Sequence, residues 1–88
     1  MVSKFVVKVV GIDVKEDSRK AQVLLMGGGL NTGWYNITNN NDSSFAAMVT
    51  VFTAGYMLNE TAAQVTVVFG GIPPTDKEIE QVIIQPGP

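Results

Sequence analysis

Three observations predict a small, mainly β domain with one helix. Only one stretch, Ser43 to Asn59, carries helical periodicity: Phe45, Met48, Val49, Phe52 and Tyr56 fall at i, i+3, i+4, i+7 and i+11. The other apolar residues sit in short runs rich in Val and Ile, separated by a charged turn at Lys15–Lys20 and by turns containing Gly, Pro or Asn, as strands are. The first of these runs changes parity midway. Phe5, Val7 and Val9 share one face, Ile12 and Val14 the other, and Gly11 stands at the switch. An extra residue swaps which parity faces inward, so Gly11 predicts a bulge in a strand long enough to pair in two sheets.

In chain order, Lys4 to Val14 is the first strand and Lys15 to Lys20 a charged turn. Ala21 to Met26 is the second strand. Gly27 to Gly33 reads as a flexible loop, and Trp34 to Thr38 as a short third strand. Asn39 to Asp42 leads into the helix. Asp42 or Ser43 supplies a short side-chain oxygen for the free N–H groups of its first turn, and Asn59 falls where a left-handed C-terminal residue belongs. Gln64 to Phe69 is the fourth strand and Gly70 to Asp76 a loop. Glu78 to Gln85 is the fifth strand by its Ile79, Val82, Ile83 and Ile84, a pattern that a short helix also fits. Pro86 to Pro88 is a tail. No internal repeat or linker interrupts residues 1–88, which read as one domain. The order strand, strand, strand, helix, strand, strand is that of the OB-fold, a five-stranded, partly open barrel. An open α+β sheet is the other architecture with these elements.

Composition narrows the function. Of 88 residues, 45 % are hydrophobic and 16 % charged, against roughly 25 % charged in ordinary soluble domains. A chain this short buries only about 60–65 % of its unfolded surface, so association with other chains is a natural complement. Six basic and eight acidic residues give a net charge of −2, which favours neither nucleic acid nor an anionic membrane surface. There are no cysteines and no histidines, which removes thiolate chemistry, the commonest metal ligand and the commonest general base. The expectation is a protein that is not an enzyme and holds no cofactor or metal. Phe5 to Val10 is interrupted by Lys8 and too short for a signal-peptide core, and compartment stays open on this ground.

The helix is unusual on its far face. Ala47, Val51, Ala54 and Leu58 form a second apolar stripe, with Thr50, Thr53 and Met57 between, and no charge lies between Asp42 and Glu60. A helix apolar nearly all round is normally buried. Spanning a membrane takes about 20 apolar residues, and this Thr-rich segment is shorter. The second stripe therefore predicts a subunit interface, most simply with other copies of the chain.

Four features could carry chemistry. The Gly27–Gly33 stretch lacks the Gly-Lys-Ser/Thr that opens a helix in a phosphate-binding loop and fits a hairpin loop. Asp13, Glu16 and Asp17 could pair as an acid and a base, but beside Lys15, Arg19 and Lys20 they fit a solvated turn. In Trp34-Tyr35-Asn36, alternation puts Trp34 and Asn36 on one face and Tyr35 on the other. An aromatic ring beside an amide suits a sugar, whose apolar face stacks while its hydroxyls find donors and acceptors; core or interface packing is the plainer use of a lone Trp. The sequons at Asn36, Asn41 and Asn59 matter only in a eukaryotic secretory setting. An OB-type nucleic-acid groove would need basic residues interleaved with stacking aromatics, which the acidic balance opposes.

The residues also carry a resemblance. Gly11-Ile12-Asp13 closing the first strand, Ser18 in the turn, and Trp34 ahead of Ser44-Phe45 opening the helix resemble the B subunits of bacterial AB-type toxins, especially the subtilase-cytotoxin and typhoid-toxin-like group. The helix followed by Gln64-Val65-Thr66-Val67-Val68-Phe69 is similar as well. The resemblance spans Lys4 to Phe69. It implies an OB-fold, a pentameric ring with helices lining its pore, binding of cell-surface glycans, an A-subunit-like partner, and secretion. It also implies that Asp13 and Ser18 contact sugar. Two features depart from the group: its disulfide is absent, and its charged helix is here uncharged, which would suit an apolar peptide or a closed plug in the pore. The expected function is thus a non-catalytic, homo-oligomeric carbohydrate-binding module, with Asp13, Ser18, Trp34 and Asn36 at the sugar and Ala47, Val51, Ala54 and Leu58 at the interface. The alternatives are a structural ring without a small ligand and, third, an OB-type single-strand binder.

Overall fold

The computed structural model describes residues 2–15, 20–38, 42–58 and 62–87. The elements run β1 (Ser3–Val14), β2 (Lys20–Gly27), β3 (Leu30–Thr38), α1 (Asp42–Met57), β4 (Ala63–Phe69) and β5 (Ile79–Pro86). The chain is mainly β with one helix. Its strands form one five-stranded sheet in the order β3-β2-β1-β4-β5, with neighbours antiparallel. The sheet is not closed: its outer strands approach at a parallel bridge from Asn36 to Glu78, where the Asn36 N–H donates to the Lys77 carbonyl at 2.8 Å.

β1 is the strand that both halves share. Ser3 to Val7 pair with β4, and Lys8 to Val14 pair with β2. The register slips where the parity change predicts it. Val9 faces Leu25 and Gly11 faces Leu24, so Val10 is the extra residue. Phe5, Val7 and Val9 turn to the core before the bulge and Ile12 after it. Val14, expected to follow Ile12 inward, lies at the strand's end and is half-exposed.

One strand reading is corrected, and the fifth strand is borne out. The stretch Gly27–Gly33 is not a long loop: Gly28 and Gly29 make the turn, Gly27 pairs with Leu30, and Gly33 pairs with Leu25. The tight hairpin needs positive φ, and Gly27, Gly28 and Gly29 supply it at 91°, 68° and 87°. Gly28 also lies so close to the backbone of Val6 that a Cβ there would run into the Val6 carbonyl oxygen. The last element is a strand, antiparallel to β4 from Ile79 to Pro86, and not a short helix.

The helix covers the inner face of the sheet. Phe52 is fully buried, and Phe45, Met48 and Val49 pack on the same core. Tyr56 does not continue that stripe; it is 54 % exposed. Gly55 takes the inward position instead, where an added Cβ would stand 2.7 Å from Val65 Cγ2 and 3.7 Å from Val9 Cγ2. The helix ends close against β1 and β4 because it has no side chain there. Its second stripe lies at the surface: Val51 and Ala54 are half-buried, Ala47 and Leu58 exposed. Thr50 and Thr53 donate their hydroxyls to the carbonyls of Ala46 and Val49, both at 2.8 Å, which hides their polarity. Asn59, the expected C-terminal residue of the helix, lies outside the described residues.

The core joins both halves of the sheet. Tyr35 and Phe69 meet edge to face at 5.4 Å, and Phe5 meets Phe69 at 6.0 Å. Tyr35 keeps its ring in the core by donating its hydroxyl to the Asn31 carbonyl at 2.6 Å.

Candidate functional site

Tyr35 and Ile37 face the core, so alternation turns Trp34 and Asn36 to the outer face of β3. On β2 the same logic turns Lys20, Gln22 and Leu24 outward, between the buried Ala21, Val23 and Leu25. Past its bulge, β1 presents Gly11 and Asp13 beside them. Register aligns these residues in two rows across three strands. Gly11 faces Leu24, which faces Trp34; Asp13 faces Gln22, which faces Asn36. Directly opposed residues share a face, so each row is contiguous.

The position of Trp34 defines the first row. Adjacent strands lie about 4.8 Å apart, so β1 is roughly 10 Å from β3 across β2. The Trp34 Cη2 nevertheless comes 3.3 Å from where a Cβ on Gly11 would stand. The indole can reach that point only by lying across β2, over Leu24. The side chain nevertheless stays 42 % exposed on this face. Gly11 thus follows the bulge and leaves, by its missing side chain, the place that the ring tip occupies.

The second row is polar. Gln22 Nε2 donates to Asn36 Oδ1 at 3.1 Å. With that bond made, the Gln22 carbonyl can still accept and the Asn36 NH2 can still donate. Asp13 extends the row onto β1, exposed to solvent. Beyond it, Lys15, Lys20, Gln22, Asn36 and Glu78 line a cleft of about 330 Å³. Lys15 is held there by its N–H, which donates to the Lys20 carbonyl at 3.2 Å. Glu78 is held by the β4–β5 connection, where Asp76 accepts from the N–H groups of Gly71 at 2.8 Å and Glu78 at 2.9 Å.

Of the expected sugar contacts, Asp13, Trp34 and Asn36 therefore share one face. Ser18 lies outside the described residues, as do Glu16 and Asp17. Gln22, Leu24, Lys20 and Glu78 were not anticipated. Gln22 had a legible signal, as the one polar residue between Ala21 and Met26, but its partners depend on cross-strand register. A larger cleft of about 450 Å³ opens where β1 changes partner, lined by Val6, Lys8, Met26, Gly28, Ala63 and Gln64 among others. It offers no aromatic ring to stack on, and Lys8 already has an interaction partner.

Among the described residues, no three acidic, His or Cys side chains cluster as metal ligands, and no buried side-chain polar atom lacks a partner. No helix among them is long and apolar enough to cross a membrane. Comparison with protein-family models, curated proteins and solved structures found no match.

Proposed function

We propose that this chain is a non-catalytic carbohydrate-binding module that acts as a homo-oligomer. The observation that carries the reading is Trp34: an indole that reaches across β2 to Gly11 and stays 42 % exposed, beside a row of amide and carboxylate groups. A pyranose needs both parts, an apolar platform for its C–H face and paired donors and acceptors for its hydroxyls.

The same residues support an OB-like barrel. The outer strands approach in parallel at Asn36 and Glu78, which would complete a cycle of five strands. The outer face of strands two and three, flanked by the β1–β2 and β4–β5 connections, is where OB-folds take oligosaccharides and oligonucleotides. That support is an analogy of fold. The net charge of −2 favours the sugar over the single strand.

The oligomer rests on the helix. Tyr56, Met57 and Leu58 expose 54, 78 and 47 % of their surface at its C-terminal end, continuous with the Ala47, Val51, Ala54 and Leu58 stripe. Large exposed apolar patches mark interaction surfaces. We take the occupant to be further copies of the chain in a ring, pentameric by its resemblance to toxin B subunits, which would also leave room for an A-subunit-like partner. Native mass spectrometry and a glycan array test the two halves separately. A discrete oligomer that Val51→Glu or Ala54→Glu dissolves, with array binders lost on Trp34→Ala, is the expected result. The same oligomer with an empty array would favour a structural ring without a small ligand; a stable monomer would remove the ring.

A further inference from the structure

Resting on the carbohydrate reading, we infer that the site takes an oligosaccharide of at least two units laid along β2 and β3, with one unit on Trp34 and the next in the cleft beside Gln22 and Asn36. The platform and the cleft are different places on one face. Residues on the same side of a strand repeat every ~6.6 Å, so Trp34 and the level of Lys20, which pairs with Thr38, stand about 13 Å apart. A single pyranose ring stacked on Trp34 falls short of the level of Lys20.

The chemistry changes along that line. At the Trp34 end, Gly11 and Leu24 offer only an apolar floor. In the middle, the hydrogen-bonded Gln22–Asn36 pair keeps one acceptor and one donor for the hydroxyls of a ring. Glu78 flanks that pair from the β5 side and Lys15 and Lys20 stand at the far end, so both signs of charge surround a cleft of about 330 Å³, the lower end of the size range of ligand sites. Each segment recognises a different part of a chain, and none is complete as a monosaccharide site.

Malto-, cello- and chito-oligosaccharides of increasing length, titrated into the full chain with the heat of binding as readout, test this. In the series that binds, affinity should rise about tenfold or more between the monosaccharide and the longer members. Lys20→Ala and Glu78→Gln should weaken the longest member more than the monosaccharide, and Trp34→Phe should weaken both. Equal affinity at all lengths, or equal losses for short and long members, would overturn the two-unit site while leaving carbohydrate binding intact. Binding by no member of any series, with the array also empty, would overturn the carbohydrate reading itself.

Discussion

Replacing Gly55 by Ala sets two effects of known sign against each other. In a helix interior the change should stabilise by about 1 kcal/mol, because Gly loses more backbone freedom on folding. The added Cβ, however, would stand 2.7 Å from Val65 Cγ2. Val65 is only 4 % exposed, and a β-branched side chain has few rotamers to retreat into. Forcing a methyl into such a site costs roughly 1–3 kcal/mol, so Gly55→Ala should be neutral to destabilising by about 2 kcal/mol. Truncating Val65 removes the obstacle. In the Val65→Ala background, Gly55→Ala should regain its full benefit of about 1 kcal/mol, a coupling of ~1–3 kcal/mol in the double-mutant cycle. Urea unfolding of the four variants, compared at equal slopes, measures it. If Gly55→Ala stabilises both backgrounds equally, the helix does not sit this close to β4, and the explanation for the outward turn of Tyr56 fails.

Three further outcomes follow from named residues. Gly28→Ala combines a left-handed φ of 68° with a Cβ driven into the Val6 carbonyl, and should lower stability by ~2–4 kcal/mol on chemical unfolding; a change under 0.5 kcal/mol would argue against the tight turn. Gly11→Val fills the place that the Trp34 ring tip occupies, so sugar affinity should drop about tenfold or more and Trp emission should shift. A Cβ at this half-buried position also stands 3.3 Å from Leu24 Cβ, so the comparison is made where both proteins are folded; unchanged emission would show that the ring does not rest there. Burial holds the pKa of the Tyr35 hydroxyl above its ordinary value of 10.0. Folding therefore favours the protonated phenol: its contribution is intact below pH 10 and is lost as pH rises through the raised pKa. Tm should fall more steeply above pH 10 in the wild type than in Tyr35→Phe, and parallel curves would contradict this.

How much of this was legible in the sequence depends on how local the cause is. The Gly11 bulge was readable because parity is a property of neighbours: Val9 and Ile12 cannot both face inward in an unbroken strand. The helix was readable from Phe45, Met48, Val49 and Phe52, but its end was not. Tyr56 fits the period, and only the packing against Val65 makes Gly55 the inward residue. The hairpin was missed for a related reason. Consecutive glycines look like slack chain, yet Gly27, Gly28 and Gly29 each adopt a φ that other residues avoid. At the site, Trp34 and Asn36 could be paired by alternation within one strand. Gln22, Lys20 and Glu78 reach them through register and through the approach of β5 to β3, and neither is encoded by spacing along the chain.

The most direct test of the account uses the single Trp. Its indole N–H gives one isolated NMR signal, which can be followed while oligosaccharides are added to the full chain. The account predicts that at least one of them moves this signal saturably and that Gly11→Val abolishes the response. A signal that stays fixed for every sugar, or that moves as far in Gly11→Val as in the wild type, would contradict the claim that Trp34, reaching across to Gly11, is the binding platform.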